Sequence, residues 1–550
     1  MIRESEADPH AKEFWLSAFA PLAVAVLAFL VYYPTLNFAW TDTDDINLIR
    51  EDSAFLTQSG SVTQAFSRPF FPGAGEEKSY YRPLVTASFL FDAGTKSPPE
   101  PAPFHRTNAL LHAGAAALVY ALAMCFTTRR LLGAAAAVGF ALHPATVQSV
   151  AWVPGRSDSL MAVCAFAALL AYIRYDRSNS RRWLAAHLTL FAAALYAKES
   201  AIAIVPIAAT YSLWISRQRS RLKYPMLGLG WLAAITVWLV ARNSALGSGA
   251  SGAHFSSVFH NVPMLWISLG KLFWPADLQV LATLQDSARW PGFVSILVLT
   301  LALLFTRAEM RLTLLWSTLG IPIFMLTPAL LVDNELVLDN RLYVPLAGVM
   351  LGALVFADSF AVTARARKVV TIFAAIVAVG LARSTLSYSP AFESPRAFCE
   401  AAVRGSPHLA LAHLNMGSME FRAGNLDGAE ERFRTALELD PRWPVAHNNL
   451  GLVFMNRGKW AAAEQQFEAE LANNPNYSKA HYNLGLVLAH AGREEEAVTH
   501  FERVVALVPT DVSAWGEMLK YFGPRDSARA TQIMNTMQAL GVQFHSPDGK

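Results

Sequence analysis

Apolar residues fill long unbroken runs through the first 390 or so positions and afterwards recur singly, in short amphipathic stretches. About 20 apolar residues make a helix long enough to cross the roughly 30 Å hydrocarbon core of a bilayer. The runs at 14–36, 107–127, 131–149, 159–175, 183–197, 200–216, 225–242, 291–306, 312–332, 342–358 and 368–387 therefore predict about eleven spans. One helix over 183–216 would be about 50 Å long at 1.5 Å per residue, so a break is expected at Lys198 and Glu199.

The pattern beyond the last run is different. Pro407, Pro441, Pro475 and Pro509 recur at a spacing of 34, as do Gly417, Gly451 and Gly485, Ala429, Ala463 and Ala497, and Phe433, Phe467 and Phe501. Small residues at helix crossings, a ring in the second helix and a closing proline, all at that period, are the tetratricopeptide pattern. It predicts three helix pairs over 408–509 and one or two divergent capping helices over 511–540. The chain thus reads as all-α: a polytopic membrane bundle over 1–392 and a tetratricopeptide α-solenoid over 393–550.

Composition agrees with a membrane protein, at 53% apolar and 16% charged residues. The first run is too long for a signal-peptide core and has no clear cleavage pattern, so it is expected to stay as a span. A net charge of +3 with no contiguous basic face argues against a nucleic-acid partner. Cys125 and Cys164 lie inside apolar runs and Cys399 stands alone after them, so no disulfide framework or zinc set follows.

Basic residues set the orientation. Arg129 with Arg130, Arg174 to Arg182, Arg217 to Lys223, Arg307 with Arg311, and Arg365 to Lys368 fall in alternate connections, which the positive-inside rule makes cytoplasmic. The segments 37–106, 143–158, Lys198-Glu199, 243–290, 333–341 and everything after 388 then face outward. The repeats are expected in the periplasm, or an equivalent outer space, of a protein embedded in the inner membrane.

Those outward segments hold the polar groups. "NFAWTDTDDINLIRED" places Asp42, Asp44 and Asp45 just past the interfacial Trp40. An adjacent carboxylate pair suits a general base, because a neighbouring charge or partial burial lifts one pKa; a solvated loop start is the plainer reading. "YYRPLVTASFLFD" supplies Arg82, "HRTNALLH" supplies His105, Arg106, Asn108 and His112, and "HPATVQSVAWVPGRSD" supplies His143, Arg156 and Asp158. An isolated Arg or Asp at mid-membrane costs about 2.5–3.5 kcal/mol on insertion scales, so such groups pair with one another or serve a function.

"FAWTDTDDINLI", "YYRPL", "HRTNALLH", "HPATVQSVAWVPGRSD", "YAKES" and "LDNRLYVPLAG", followed by the repeats, resemble the transmembrane and tetratricopeptide-repeat O-mannosyltransferases and their bacterial relatives, within the C-type glycosyltransferase superfamily. The resemblance covers essentially the whole chain in the same order. It implies transfer of a sugar, commonly mannose, from a polyprenyl-phosphate donor to a hydroxyl outside the cytoplasm, with inversion and with Ser or Thr of a protein as acceptor. The family's acidic pair matches Asp44 and Asp45, one of which would take the hydroxyl proton. Its basic-acidic turn matches Arg156 and Asp158, its Lys-Glu pair Lys198 and Glu199, and its late outward loop Arg341 and Tyr343; with Arg82 and His143 from the same outward segments, these are the candidate donor-phosphate and sugar contacts. Gln148 departs from the family, whose members often carry Glu there. A divalent metal would suit Asp44, Asp45 and Asp158, but related mannosyltransferases do not generally need one, and no cofactor is assigned.

Asn415, Asn449 and Asn483 recur at the same spacing of 34, at a position that faces the concave groove of such solenoids. Amides both donate and accept, so this ladder suits an extended peptide acceptor; repeat stability is the alternative. At the level of the whole chain the competing reading is a non-enzymatic membrane scaffold that assembles envelope proteins through its repeats. A transporter fits less well, because the charges gather on one side instead of pairing at mid-membrane.

Overall fold

The apolar runs fold as helix, the run 131–149 with a break at His143 and the run 312–332 as far as it is described, to Leu331. The computed structural model describes residues 9–57, 62–71, 80–216, 223–247, 256–331, 336–337, 339–360 and 363–541. The chain forms two units, 1–405 and 406–550.

In the first unit the principal helices are Pro9–Val31, Pro101–Ala123, Arg130–Leu142, Arg156–Ser178, Arg181–Ala197, Ile204–Trp214, Lys223–Leu246, Trp290–Phe305, Ala308–Leu331, Tyr343–Asp358 and Ala364–Tyr388. Four segments, Val153–Ser178, Pro225–Leu246, Asp339–Asp358 and Lys368–Phe392, are each long and apolar enough to cross a bilayer. Among the described residues Arg130–Leu142 and Pro144–Val150, bent by 53° at their junction, are together apolar and long enough for a broken span or a re-entrant loop. The outer faces are apolar: Val369, Ile372, Phe373, Ile376 and Val379 on one helix and Phe293, Leu297 and Leu301 on another are exposed. An exposed apolar surface of this extent belongs in lipid, where helices also satisfy every internal backbone hydrogen bond. The protein is a membrane protein.

The chain breaks at Lys198, which is fully extended between Arg181–Ala197 and the 3-10 turn Glu199–Ala203. Beyond the break the paths diverge, Arg181–Ala197 packing on Arg156–Ser178 and Ile204–Trp214 on Ala308–Leu331. Two connections read as outward hold helices of their own, Pro83–Ala93 and Ser256–Phe273. Within 53–66 there are only the short turns Ser53–Leu56 and Val62–Ala65, with 58–61 outside the described residues. Among the described residues the β structure is the antiparallel pairing of Ala282–Thr283 with Leu336–Val337. The helix Pro395–Gly405 belongs to the first unit, where Phe398 lies against Trp152 and Phe392.

The second unit is the helical array that the spacing of 34 requires. Ala410–Arg422 pairs with Leu426–Leu439, Ala446–Asn456 with Trp460–Asn473, and Ser478–His490 with Glu494–Leu507, followed by Val512–Phe522 and Ser527–Ala539. The repeated small residue has a direct cause. A Cβ on Gly417, Gly451 or Gly485 would lie 2.7, 2.7 or 2.6 Å from the ring of Phe433, Phe467 or Phe501. Each phenyl ring therefore seats on bare backbone, and Ala429, Ala463 and Ala497 are buried beside it.

Candidate active site

A single stretch, 148–158, ties the connecting segments at this end of the bundle together through side-chain contacts. It folds sharply at Gly155, where any Cβ would lie 2.2 Å from the Gln148 carbonyl oxygen, so only glycine permits the approach. Arg156–Ser178 begins on that turn.

The acidic segment docks on this stretch from one side. The Trp152 Nε1–H donates to the hydroxyls of Thr41 at 3.2 Å and Thr43 at 3.3 Å. Asp45 turns back on the same threonines: its carboxylate accepts from the Thr41 N–H at 2.6 Å, the Thr43 N–H at 2.8 Å and the Thr41 hydroxyl. It is buried, and burial raises its pKa against the lowering effect of those donors. Asp42 takes a φ of 55° and pairs with Arg50 at 2.7 Å. Asp44, at the start of the following helical turn, is only half-buried. Of the two predicted acid-base residues, Asp45 holds the loop's shape and Asp44 has the access to solvent.

On another side the stretch carries one charge pair and, through Ser157, adjoins a second. Asp158 accepts from Lys198 Nζ at 2.7 Å and from Asn340 Nδ2 at 2.8 Å. Arg82, at the entrance to Pro83–Ala93, forms a two-pronged bond with Glu199 at 2.7 and 3.2 Å and lies 4.5 Å over the Tyr80 ring. Burial disfavours the Glu199 carboxylate, but the Arg82 charge and hydrogen bonds outweigh it and hold its pKa down to about 2. Arg341 lies in the electrostatic field of Tyr80, Asp158, Glu199 and Arg82. It is partly exposed and, among the described residues, makes no hydrogen bond or ion pair. A cation near two pairs whose carboxylate oxygens are already engaged, and with no anion bonded to it among the described residues, is suited to receive one from outside.

Other sequence candidates are engaged elsewhere. Arg156 is completely buried, paired with Asp92 at 2.5 Å and donating to Ser88, Asn108 and the Phe104 carbonyl. It clamps Pro83–Ala93 and Pro101–Ala123 to the start of its own helix. The His143 Nδ1 accepts from the Ala145 N–H at 3.2 Å and stabilises the bend after Arg130–Leu142. The Tyr343 hydroxyl donates to His112 Nδ1 at 2.7 Å, because His112 Nε2 faces the Ala141 carbonyl at 3.0 Å and must be the protonated nitrogen. These contacts join three helices in the interior. Among the described residues no three carboxylate, imidazole or thiol groups gather as a metal site needs, and both Asp158 oxygens are engaged, so no step is routed through a metal.

Sequence reasoning missed Asn340, Lys271 and Asp339. Lys271 Nζ meets Asp339 at 2.8 Å, both nearly fully buried. The available signal was one lysine in the otherwise apolar "MLWISLGKLF" of Ser256–Phe273.

In the repeats the three predicted asparagines do not bond directly to one another. Asn483 Nδ2 donates to Asn448 at 2.9 Å, Asn448 donates to Asn449 at 3.3 Å, and Asn449 faces Ser418 at 3.4 Å. Asn448 is the member the periodicity did not single out.

Two models of the tetratricopeptide repeat match the tail, one over residues 448–512 and one over 417–458. Among curated proteins the chain is 32% identical to protein O-mannosyl-transferase Tmtc2 of Drosophila melanogaster over 38% of this chain and 24% of that one. It is 34% identical to protein O-mannosyl-transferase Tmtc1 of the same organism over 32% and 21%, and 30% identical to protein O-mannosyl-transferase TMTC3 of Mus musculus over 40% and 23%. The matches thus span about a quarter of those relatives' length. The crystal structure of MamA is similar with a TM-score of 0.25 and 19% identity, over 29% of this chain and 92% of that one. The chain is therefore a membrane protein with a tetratricopeptide-repeat tail, similar to the transmembrane and tetratricopeptide-repeat O-mannosyltransferase family.

Proposed function

We propose that this protein transfers mannose from a polyprenyl-phosphate donor to a Ser or Thr hydroxyl of a protein, with inversion at the anomeric carbon. The observation that carries this reading is Arg341, partly exposed, without a hydrogen bond or ion pair among the described residues and within electrostatic reach of the Arg82–Glu199 and Lys198–Asp158 pairs, in a chain whose relatives are named protein O-mannosyl-transferases. Arg341 receives the donor phosphate, near Arg82 and Lys198, whose charges are already matched by Glu199 and Asp158. Asp44 accepts the acceptor hydroxyl proton as the hydroxyl oxygen bonds to the anomeric carbon. The bond from that carbon to the phosphate oxygen breaks on the opposite face, and polyprenyl phosphate leaves. The membrane part performs the transfer, while the outward repeats hold the acceptor through Asn415, Asn449 and Asn483.

Purified protein given polyprenyl-phosphate mannose and a Ser/Thr-containing polypeptide is expected to yield mannosylated polypeptide, detected by mass spectrometry. Asp44→Asn should reduce turnover roughly 100-fold or more without loss of folded protein. A parent protein that converts no lipid-linked sugar would instead be the scaffold that its repeats also allow.

A further inference from the structure

The 3-10 turn Asp339–Leu342 presents three consecutive side chains to three different surroundings. Asp339 bonds to Lys271 at 2.8 Å and to the Gln279 N–H at 3.0 Å, on the segment 256–283. Asn340 bonds to Asp158 through its side chain, while its backbone N–H donates to Gln148 Oε1 at 2.8 Å and its carbonyl accepts from Ser149. Arg341 makes no hydrogen bond or ion pair among the described residues. Gln148 also donates from Nε2 to the Val280 carbonyl at 3.0 Å. The turn is thus held from both sides, and Gln148 bridges them with one amide that accepts from one and donates to the other.

Building on the proposed donor-phosphate role of Arg341, we infer that Lys271 and Gln148 are positioning residues: they fix the turn that presents Arg341 and so set affinity for the lipid-linked donor. Neither side chain contacts the donor. Lys271 acts by charge, because Asp339 without it would be a buried anion free to pull the turn towards solvent. Gln148 acts by its dual donor and acceptor character, which a carboxylate of the same shape lacks. A misplacement of about 1 Å at a reacting group can cost as much as about 100-fold, so a small shift in this turn is enough to matter.

The test uses the full-length protein in detergent with a short-chain polyprenyl-phosphate mannose and a peptide acceptor. Lys271→Met and Gln148→Glu are each expected to raise the donor KM about tenfold or more and to leave the acceptor KM unchanged. Lys271→Gln combined with Asp339→Asn replaces the ion pair by an amide pair without stranding a charge, and should recover most of the donor affinity. In an Arg341→Ala background, Lys271→Met should add nothing further, because its effect passes through Arg341. Equal losses for donor and acceptor, or the same fold-loss with and without Arg341, would show a general structural role and overturn the inference. Should Lys271→Met not fold, Gln148→Glu and the paired amide variant decide the matter by the same criteria. A parent that transfers mannose while its donor KM ignores these substitutions refutes the positioning role alone, whereas an inactive parent refutes the transferase reading first.

Discussion

Arg156 donates to four partners and is sealed from solvent, whereas Arg341 keeps partial exposure and, among the described residues, no partner at all. The same guanidinium therefore has two separable roles, and substitution should distinguish them. Arg156→Met strands Asp92 in the interior, which at typical values costs about 3–5 kcal/mol and should appear as lost folded yield or a lower melting temperature. Arg341→Ala should leave melting nearly unchanged and raise the donor KM roughly 10- to 100-fold, the range of a charge-assisted hydrogen bond. Glu199 adds a dependence on pH. Its carboxyl is held at about 2 in the folded protein, against about 4.3 in an unfolded chain. The stability from its bond to Arg82 is thus present above the unfolded value and lost as pH falls towards the folded one. Melting of the parent and of Glu199→Gln, followed from pH 6 downward, should converge as the solution approaches pH 2.

Helices were legible in the sequence because each is a local property: an apolar run long enough for lipid, or a 34-residue repeat of small residue, ring and proline. The rings of Phe433, Phe467 and Phe501 against Gly417, Gly451 and Gly485 supply the physical content of that repeat. Gly451→Ala should accordingly cost about 1–3 kcal/mol by overpacking, measurable as a lower melting temperature of the repeats. The helix Ser256–Phe273 was not legible as a part of the site, since nothing near Lys271 announces a partner 68 positions later. For the same reason the sequence could nominate Arg156 and Arg341 together as phosphate ligands but could not separate them. What separates them is Asp92, which pairs with Arg156 and whose nearness is a property of the folded bundle. Asp44 and Asp45 were likewise equivalent as adjacent carboxylates until the turn at Thr41 and Thr43 engaged one of them.

At the scale of the whole molecule, the alternation of basic connections along the chain predicts repeats outside the cytoplasm, an expectation that labelling tests. Cys399 is a poor reporter because it is buried, whereas Arg442 is exposed. Arg442→Cys should react with a membrane-impermeant maleimide added to cells whose inner membrane is intact but whose outer space is accessible. Labelling only after lysis would put the repeats in the cytoplasm and remove the acceptor role given to them. The fixed segment 148–158 also has a bearing on how such a chain is made. Asp92, Ser88, Phe104 and Asn108 all precede Arg156, so the arginine finds its partners among residues already synthesised. Asp158 must wait 40 residues for Lys198 and 182 for Asn340. Until then it is an unneutralised carboxylate at the mouth of an apolar helix, which favours keeping that end near water. Arrival of Lys198 removes this restraint, so the helix Arg156–Ser178 settles to its final depth during biosynthesis only as the segment after Arg181–Ala197 emerges.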